Sequence, residues 1–197
     1  MRAETSAPRS VLDSLKAGIV AGQAASWTIV GLFLSIDWTV AIQPGALYMV
    51  IGMLFGQESW PAIYTGFLLH MITGTVIGII YMLISNSVKY LRITGIFKGL
   101  GTGILTGVVV WSVLFLPVHF GFIIPMLNDI VINGEESSST VQMAQRLLAV
   151  SSVVIYGSLS LHVVFGGVLG AMGRLVTSGD DMRVSAETGT SNTAPGG

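Results

Sequence analysis

The sequence predicts an all-α integral membrane protein: four transmembrane helices in two parallel helix–short segment–helix repeats, with both termini inside. Three observations carry this. Of the 197 residues, 52% are apolar and 10% charged, against about 25% charged in a soluble domain, and the mean hydropathy is +0.78. Four apolar runs each supply the roughly 20 residues needed to cross a bilayer. One run also recurs. Residues 63–84 return 92 positions later as 155–176, with 8 of 22 positions identical, among them Tyr64/Tyr156, His70/His162, Gly74/Gly166 and Gly78/Gly170.

The predicted spans are 15–36, 62–85, 96–119 and 147–173. Residues 1–14 are polar and form a short cytoplasmic lead. A cleaved signal peptide is the competing reading, but the apolar run that follows exceeds a signal core of about 7–15 residues. Arg2, Arg9 and Lys16 precede the first span. Lys89, Arg92 and Lys98 lie between the second and third, and Arg174 and Arg183 follow the fourth, so eight of nine basic residues share a side with only Arg146 opposite. The positive-inside bias then places both termini in the cytoplasm of a multi-pass cell-membrane protein. Residues 177–197 are rich in Ser, Thr and Gly and predict a disordered tail.

Between the first two spans, 44–56 opens on Pro44-Gly45 and closes on Gly56. Its ten or so apolar residues would extend only ~15 Å as a helix, so it predicts a re-entrant or interfacial segment. Residues 121–132, with Pro125 inside, predict the same between spans three and four. Trp38, Tyr48 and Trp60 are expected at that interface. Leu32-Phe33-Leu34-Ser35-Ile36-Asp37 aligns with Leu114-Phe115-Leu116-Pro117-Val118-His119 at an offset of 82. The repeats are then 15–85 and 96–176, and the polar stretch 133–140 is the insertion that lengthens the second.

Small residues recur at four-residue spacing: Gly18/Gly22, Gly74/Gly78, Gly99/Gly103/Gly107 and Gly166/Gly170. In lipid, such stripes let backbones approach where no hydrophobic drive favours association, so they read as helix-packing faces. None has the strand–loop–helix setting of a phosphate loop. A close glycine crossing of the second and fourth spans is expected.

The chemistry-bearing candidates are the histidines, since an ionisable group inside a membrane faces the bundle interior or a wet cavity. His70 and His162 should lie at one depth near mid-membrane. His119 and Asp37, equivalent in the repeat, should form a polar outer mouth about 15 Å away along the normal, so one site using all three histidines is not expected. Three readings of the His70/His162 pair compete. Each can be a neutral imidazole bonded to a backbone carbonyl or a nearby hydroxyl. The two can be axial ligands of haem b, with the glycine crossing leaving little room for the macrocycle. Or they can line a path for a proton, metal ion or small solute, with the cavity between protomers of a homodimer. The chain has no Cys, which removes thiol chemistry, and no Ser-His-Asp set or H-E-x-x-H helix, which disfavours an enzyme. The net charge of −1 gives no reason to invoke nucleic acid. The bilayer is the expected partner, with a homodimer or larger membrane complex compatible with it.

The pattern His70-x3-Gly74-x3-Gly78-x2-Tyr81, then Gly103-x3-Gly107-x3-Trp111 with Pro117, then His162-x3-Gly166-x3-Gly170, resembles the uncharacterised YagU-like family of four-helix inner-membrane proteins. The likeness covers most of 15–176, and Gly173 stands where the first copy has Tyr81. It implies a small helical membrane protein and supplies no activity.

Overall fold

The computed structural model describes residues 9–39, 43–135 and 138–191. It is helical throughout, with no strand among the described residues. The elements are α1 (Val11–Thr39), α2 (Ala46–Met53), α3 (Ser59–Ser87), a single 3-10 turn at Lys89–Leu91, α4 (Ile96–Asn133), α5 (Ser139–Ala149) and α6 (Ser151–Ser191). Four of these helices are long and apolar enough to cross a membrane: α1, α3, α4 and 151–179 of α6. Helix is the form such segments must take, because hydrocarbon leaves every backbone N–H and C=O to be satisfied within the chain.

Two boundaries differ from the sequence reading. The third span does not stop at His119. It continues unbroken to Asn133, so 121–132 is the end of α4 and not a separate half-length segment. The helix survives two prolines by widening. Trp111–Phe115 and His119–Ile123 are π turns, and each ends two residues before a proline, Pro117 and Pro125. The carbonyls that a proline ring would strike in an α-helix, four residues back, belong to Val113 and Gly121, inside those wider turns. The second difference lies in the stretch taken as the start of the fourth span. Residues 139–149 form the separate helix α5, capped by the Ser138 side chain, which accepts the Val141 N–H at 3.1 Å. The chain bends at Val150 before α6 begins. The α6 backbone is helical through Ser191, where composition predicts a disordered tail; residues 1–8 of the polar lead and 192–197 lie outside the described residues.

The glycine stripes pack helices in pairs. A Cβ on Gly18 would stand 2.5 Å from the Ile79 Cα, and one on Gly22 would stand 2.5 Å from the Gly74 carbonyl oxygen, so α1 lies directly on α3. On α4, Gly99 meets the Gly170 carbonyl at 2.6 Å, while Gly103 and Gly107 press on the backbone of Gly166 and His162. The close crossings are therefore α1 with α3 and α4 with α6. This corrects the expected crossing of α3 with α6, where the Phe165 ring of α6 lies 3.4 Å from a Cβ placed on Gly74 and fills the space between the helices. The two pairs join through the buried Ala17, Ala21, Ala25 and Ile29 of α1, which face Leu161, Phe165 and Leu169 of α6.

Polar bonds secure the joints. The Tyr81 hydroxyl is 2.9 Å from Thr102 Oγ1 and donates to the Gly99 carbonyl at 3.2 Å, tying α3 to α4. Tyr81→Phe is expected to lower stability by about 1 kcal/mol, seen as a fall in the unfolding temperature of the detergent-solubilised protein. At one end of the bundle the Arg9 N–H donates to Asn86 Oδ1, Asn86 returns a bond to the Arg9 carbonyl, and the Arg9 guanidinium reaches the Thr177 carbonyl. The opposite end is closed by α2, α5 and the tip of α4, which share a second core of Ala46, Met49, Val50, Leu127, Met143 and Leu147. Tyr48, expected at an interface, is inside this end at 3% exposure, while Trp38 and Trp60 are exposed.

Candidate functional site

Between the two helix pairs is a cavity of about 270 Å³ to which all six helices contribute. Its wall is apolar except for His70 and Thr73 on α3, His119 on α4 and His162 on α6, and it includes no Lys, Arg, Asp or Glu. The three histidines, 49 and 43 residues apart in sequence, meet one space. His119, expected at an outer mouth, thus lines the same cavity as the other two. His119 opens the second π turn of α4, His119–Ile123, and a mid-helix π turn is a recurrent device at functional positions.

Each imidazole is held differently. His162 Nδ1–H donates to the Ser158 carbonyl one turn earlier at 2.7 Å. A carbonyl can only accept, so this bond fixes the tautomer and leaves Nε2 as an acceptor. Ser158 is itself fixed, accepting from Trp111 Nε1 at 2.9 Å and donating to Ile155 at 2.8 Å. His119, 3% exposed, has Nε2 at 3.3 Å from Ser151 Oγ and its ring stacked on Phe115, centroids 5.3 Å apart. Phe115 also lies 5.8 Å from the His162 ring. On the other wall Phe33 and Tyr48 meet the His70 ring edge-on at 5.5 and 5.6 Å, and His70 Nε2 has no hydrogen-bond partner.

Asp37 and His119 do not form an open mouth: Asp37 is 0% exposed. Its carboxylate turns inward and accepts the Gly45 N–H at 2.7 Å, closing the start of α2. Gly45 has φ of 84°, a left-handed conformation that glycine adopts without Cβ strain. The cavity opens elsewhere. Its exposed wall residues are Thr73 on α3 and Leu114 and Val118 on α4, so the mouth lies on the flank of the bundle between those helices. All of the wall residues described come from one chain.

Two residues that pack on the histidines, Phe115 in the cavity wall and Tyr48 against His70, were missed by the sequence reading as part of the site. Phe115 carried a signal, because it is the partner of Phe33 at offset 82 and each packs on one of the paired histidines. Tyr48 carried only its hydroxyl in an otherwise apolar segment. Among the described residues no group of three His, Asp or Glu side chains converges closely enough to hold a metal ion. Haem fits poorly as well, since its carboxylates would need basic partners and the wall supplies none. No family model, curated protein or solved structure matches this chain.

Proposed function

We propose that this is a non-enzymatic, multi-pass protein of the cell membrane that admits a small, neutral, largely apolar solute to the cavity between its halves, as a permeation or transport component. The observation that carries the reading is the convergence of His70, His119 and His162 on one apolar space with a flank opening. An uncharged apolar wall excludes ions by leaving their hydration uncompensated, while imidazole nitrogens and the Thr73 hydroxyl can orient one polar group. The space suits a ligand at the small end of the usual range of roughly 300–1,000 Å³. The proposal includes the two parallel repeats, both termini in the cytoplasm on the positive-inside bias, and kinship with the YagU-like proteins on the His-x3-Gly-x3-Gly motifs. The matching contacts Phe33–His70 and Phe115–His162 support the repeat.

Stopped-flow light scattering of proteoliposomes tests this with butyramide, a short apolar chain bearing one amide. Vesicles containing the protein should equilibrate butyramide faster than protein-free vesicles. Val110→Trp, which projects an indole into the cavity, should return the rate to the protein-free value. Equal rates with and without protein contradict the proposal. The purified protein is expected to show no Soret absorption, and a Soret band lost in His70→Ala would replace the solute reading with the haem one.

A further inference from the structure

The mouth of the cavity sits at a depth that decides what can reach it. Thr73, on one side, is midway between Ser59 and Ser87, the ends of α3. Leu114, on the other, is midway along α4 between Ile96 and Asn133. At 1.5 Å per residue each lies about 20 Å or more from either end of its helix. Hydrocarbon extends only about 15 Å to either side of a bilayer midplane, so the opening faces lipid chains and not water. The bundle is bridged on both sides of this window. Toward one end the Tyr81 hydroxyl ties α3 to Thr102 and Gly99 of α4, and Arg9 bonds Asn86 and Thr177 beyond that joint. Toward the other, the shared core of α2, α5 and the tip of α4 closes over the cavity.

Inside, His162 offers the cavity an acceptor. Its Nδ1–H is committed to the Ser158 carbonyl of its own helix at 2.7 Å, so the opposite edge of the ring, with Nε2, turns away from the α6 backbone. Trp111 Nε1 donates to Ser158 Oγ at 2.9 Å, so the first wide turn of α4 steadies this arrangement from behind. His70 differs, because its Nε2 is shut among protein atoms beside Phe33 and Tyr48. In hydrocarbon no water compensates an open acceptor, so a molecule that brings an O–H or N–H gains what a plain chain cannot. We infer that the cavity is loaded sideways from the bilayer core, through the window between α3 and α4, by a neutral bilayer-dissolved molecule that donates an O–H or N–H to His162 Nε2. This route rests on the solute reading and adds where the solute comes from and which group it must carry. Ions are kept from the midplane by the cost of shedding their water, and lipid tails reach it without a donor. Butyramide meets the requirement through its amide N–H.

Two measurements on the full chain in liposomes test it. The chain has no cysteine, so a nitroxide attached at Thr73→Cys reports on the mouth alone. Its relaxation should respond to oxygen, which concentrates in hydrocarbon, and not to a water-soluble nickel chelate. It should match Val76→Cys on the exposed flank of α3 and differ from Lys89→Cys beyond the helix end. A label at Thr73→Cys that the chelate relaxes as strongly as one at Lys89→Cys overturns the lipid route. For the donor, cyclohexanol is compared with cyclohexanone, which accepts but cannot donate, at equal bilayer concentration by nitrogen NMR of the histidine rings. Cyclohexanol should move the His162 Nε2 signal saturably and bind on the order of 10-fold more tightly. His162→Phe should bring the two to equal affinity, read from the His119 ring; where that variant does not accumulate, the unsubstituted chain decides alone. Equal affinity in the unsubstituted chain, or no response to cyclohexanol, overturns the inference. With butyramide flux intact, that result removes the donor requirement alone, and with flux absent as well the solute reading falls with it.

Discussion

Gly103→Val is expected to prevent the accumulation of folded protein. A Cβ at Gly103 runs into the Gly166 carbonyl and lies 2.8 Å from the Gly170 Cα and N. Backbone has no rotamer to yield, so α4 and α6 must part along their length. Overpacking costs typically about 1–3 kcal/mol where side chains can move, and more where they cannot. Gly22→Val should do the same to α1 and α3, since its Cβ meets the Gly74 carbonyl at 2.5 Å. Gly31 and Gly101 are the controls, with nothing within 4 Å of an added Cβ. Alanine at either should be neutral or stabilise the helix by up to about 1 kcal/mol. Fluorescence-detected size exclusion of the four variants reads the contrast directly. Equal behaviour of Gly103→Val and Gly101→Ala would show that the glycine seams do not hold the pairs together.

The second large effect is expected at Asp37. Asp37→Ala removes the acceptor of the Gly45 N–H and leaves the start of α2 buried without a partner. Such a loss costs about 1–3 kcal/mol, within the range of losing a helix N-cap. Asp37→Asn retains an oxygen acceptor at the same place and should lose less than half as much. The unfolding temperatures of the two variants separate capping from charge. If Asn is as damaging as Ala, the carboxylate charge and not the bond to Gly45 holds the segment.

The helices were legible because lipid imposes one solution on long apolar runs, and the glycine spacing marked the faces that would touch. Which faces touch each other was not legible. Four stripes of equal spacing pair in several ways, and only the fold selects Gly22 with Gly74 and Gly103 with Gly166 over a crossing of α3 with α6. Pro125 and Gly121 misled for a physical reason: both signal a break under α-helical geometry, yet a π turn absorbs them and carries α4 on to Asn133. His119 was expected at an open mouth and is buried at 3% exposure, because rise per residue gives a depth along a helix and not which face of it is covered. Asp37 was misplaced because a carboxylate near a span end reads as solvated, and nothing local in the sequence reveals that Gly45, eight residues on, comes back to meet it.

The three histidines that line the shared cavity are its natural reporters, since the chain has no others. With the imidazoles isotopically labelled, butyramide is titrated into the reconstituted protein and the three ring signals are followed by NMR. All three should shift together, saturably and with a common midpoint, and none should shift in Val110→Trp. Rings that stay unmoved, or that respond with separate midpoints, would contradict a single solute cavity walled by His70, His119 and His162.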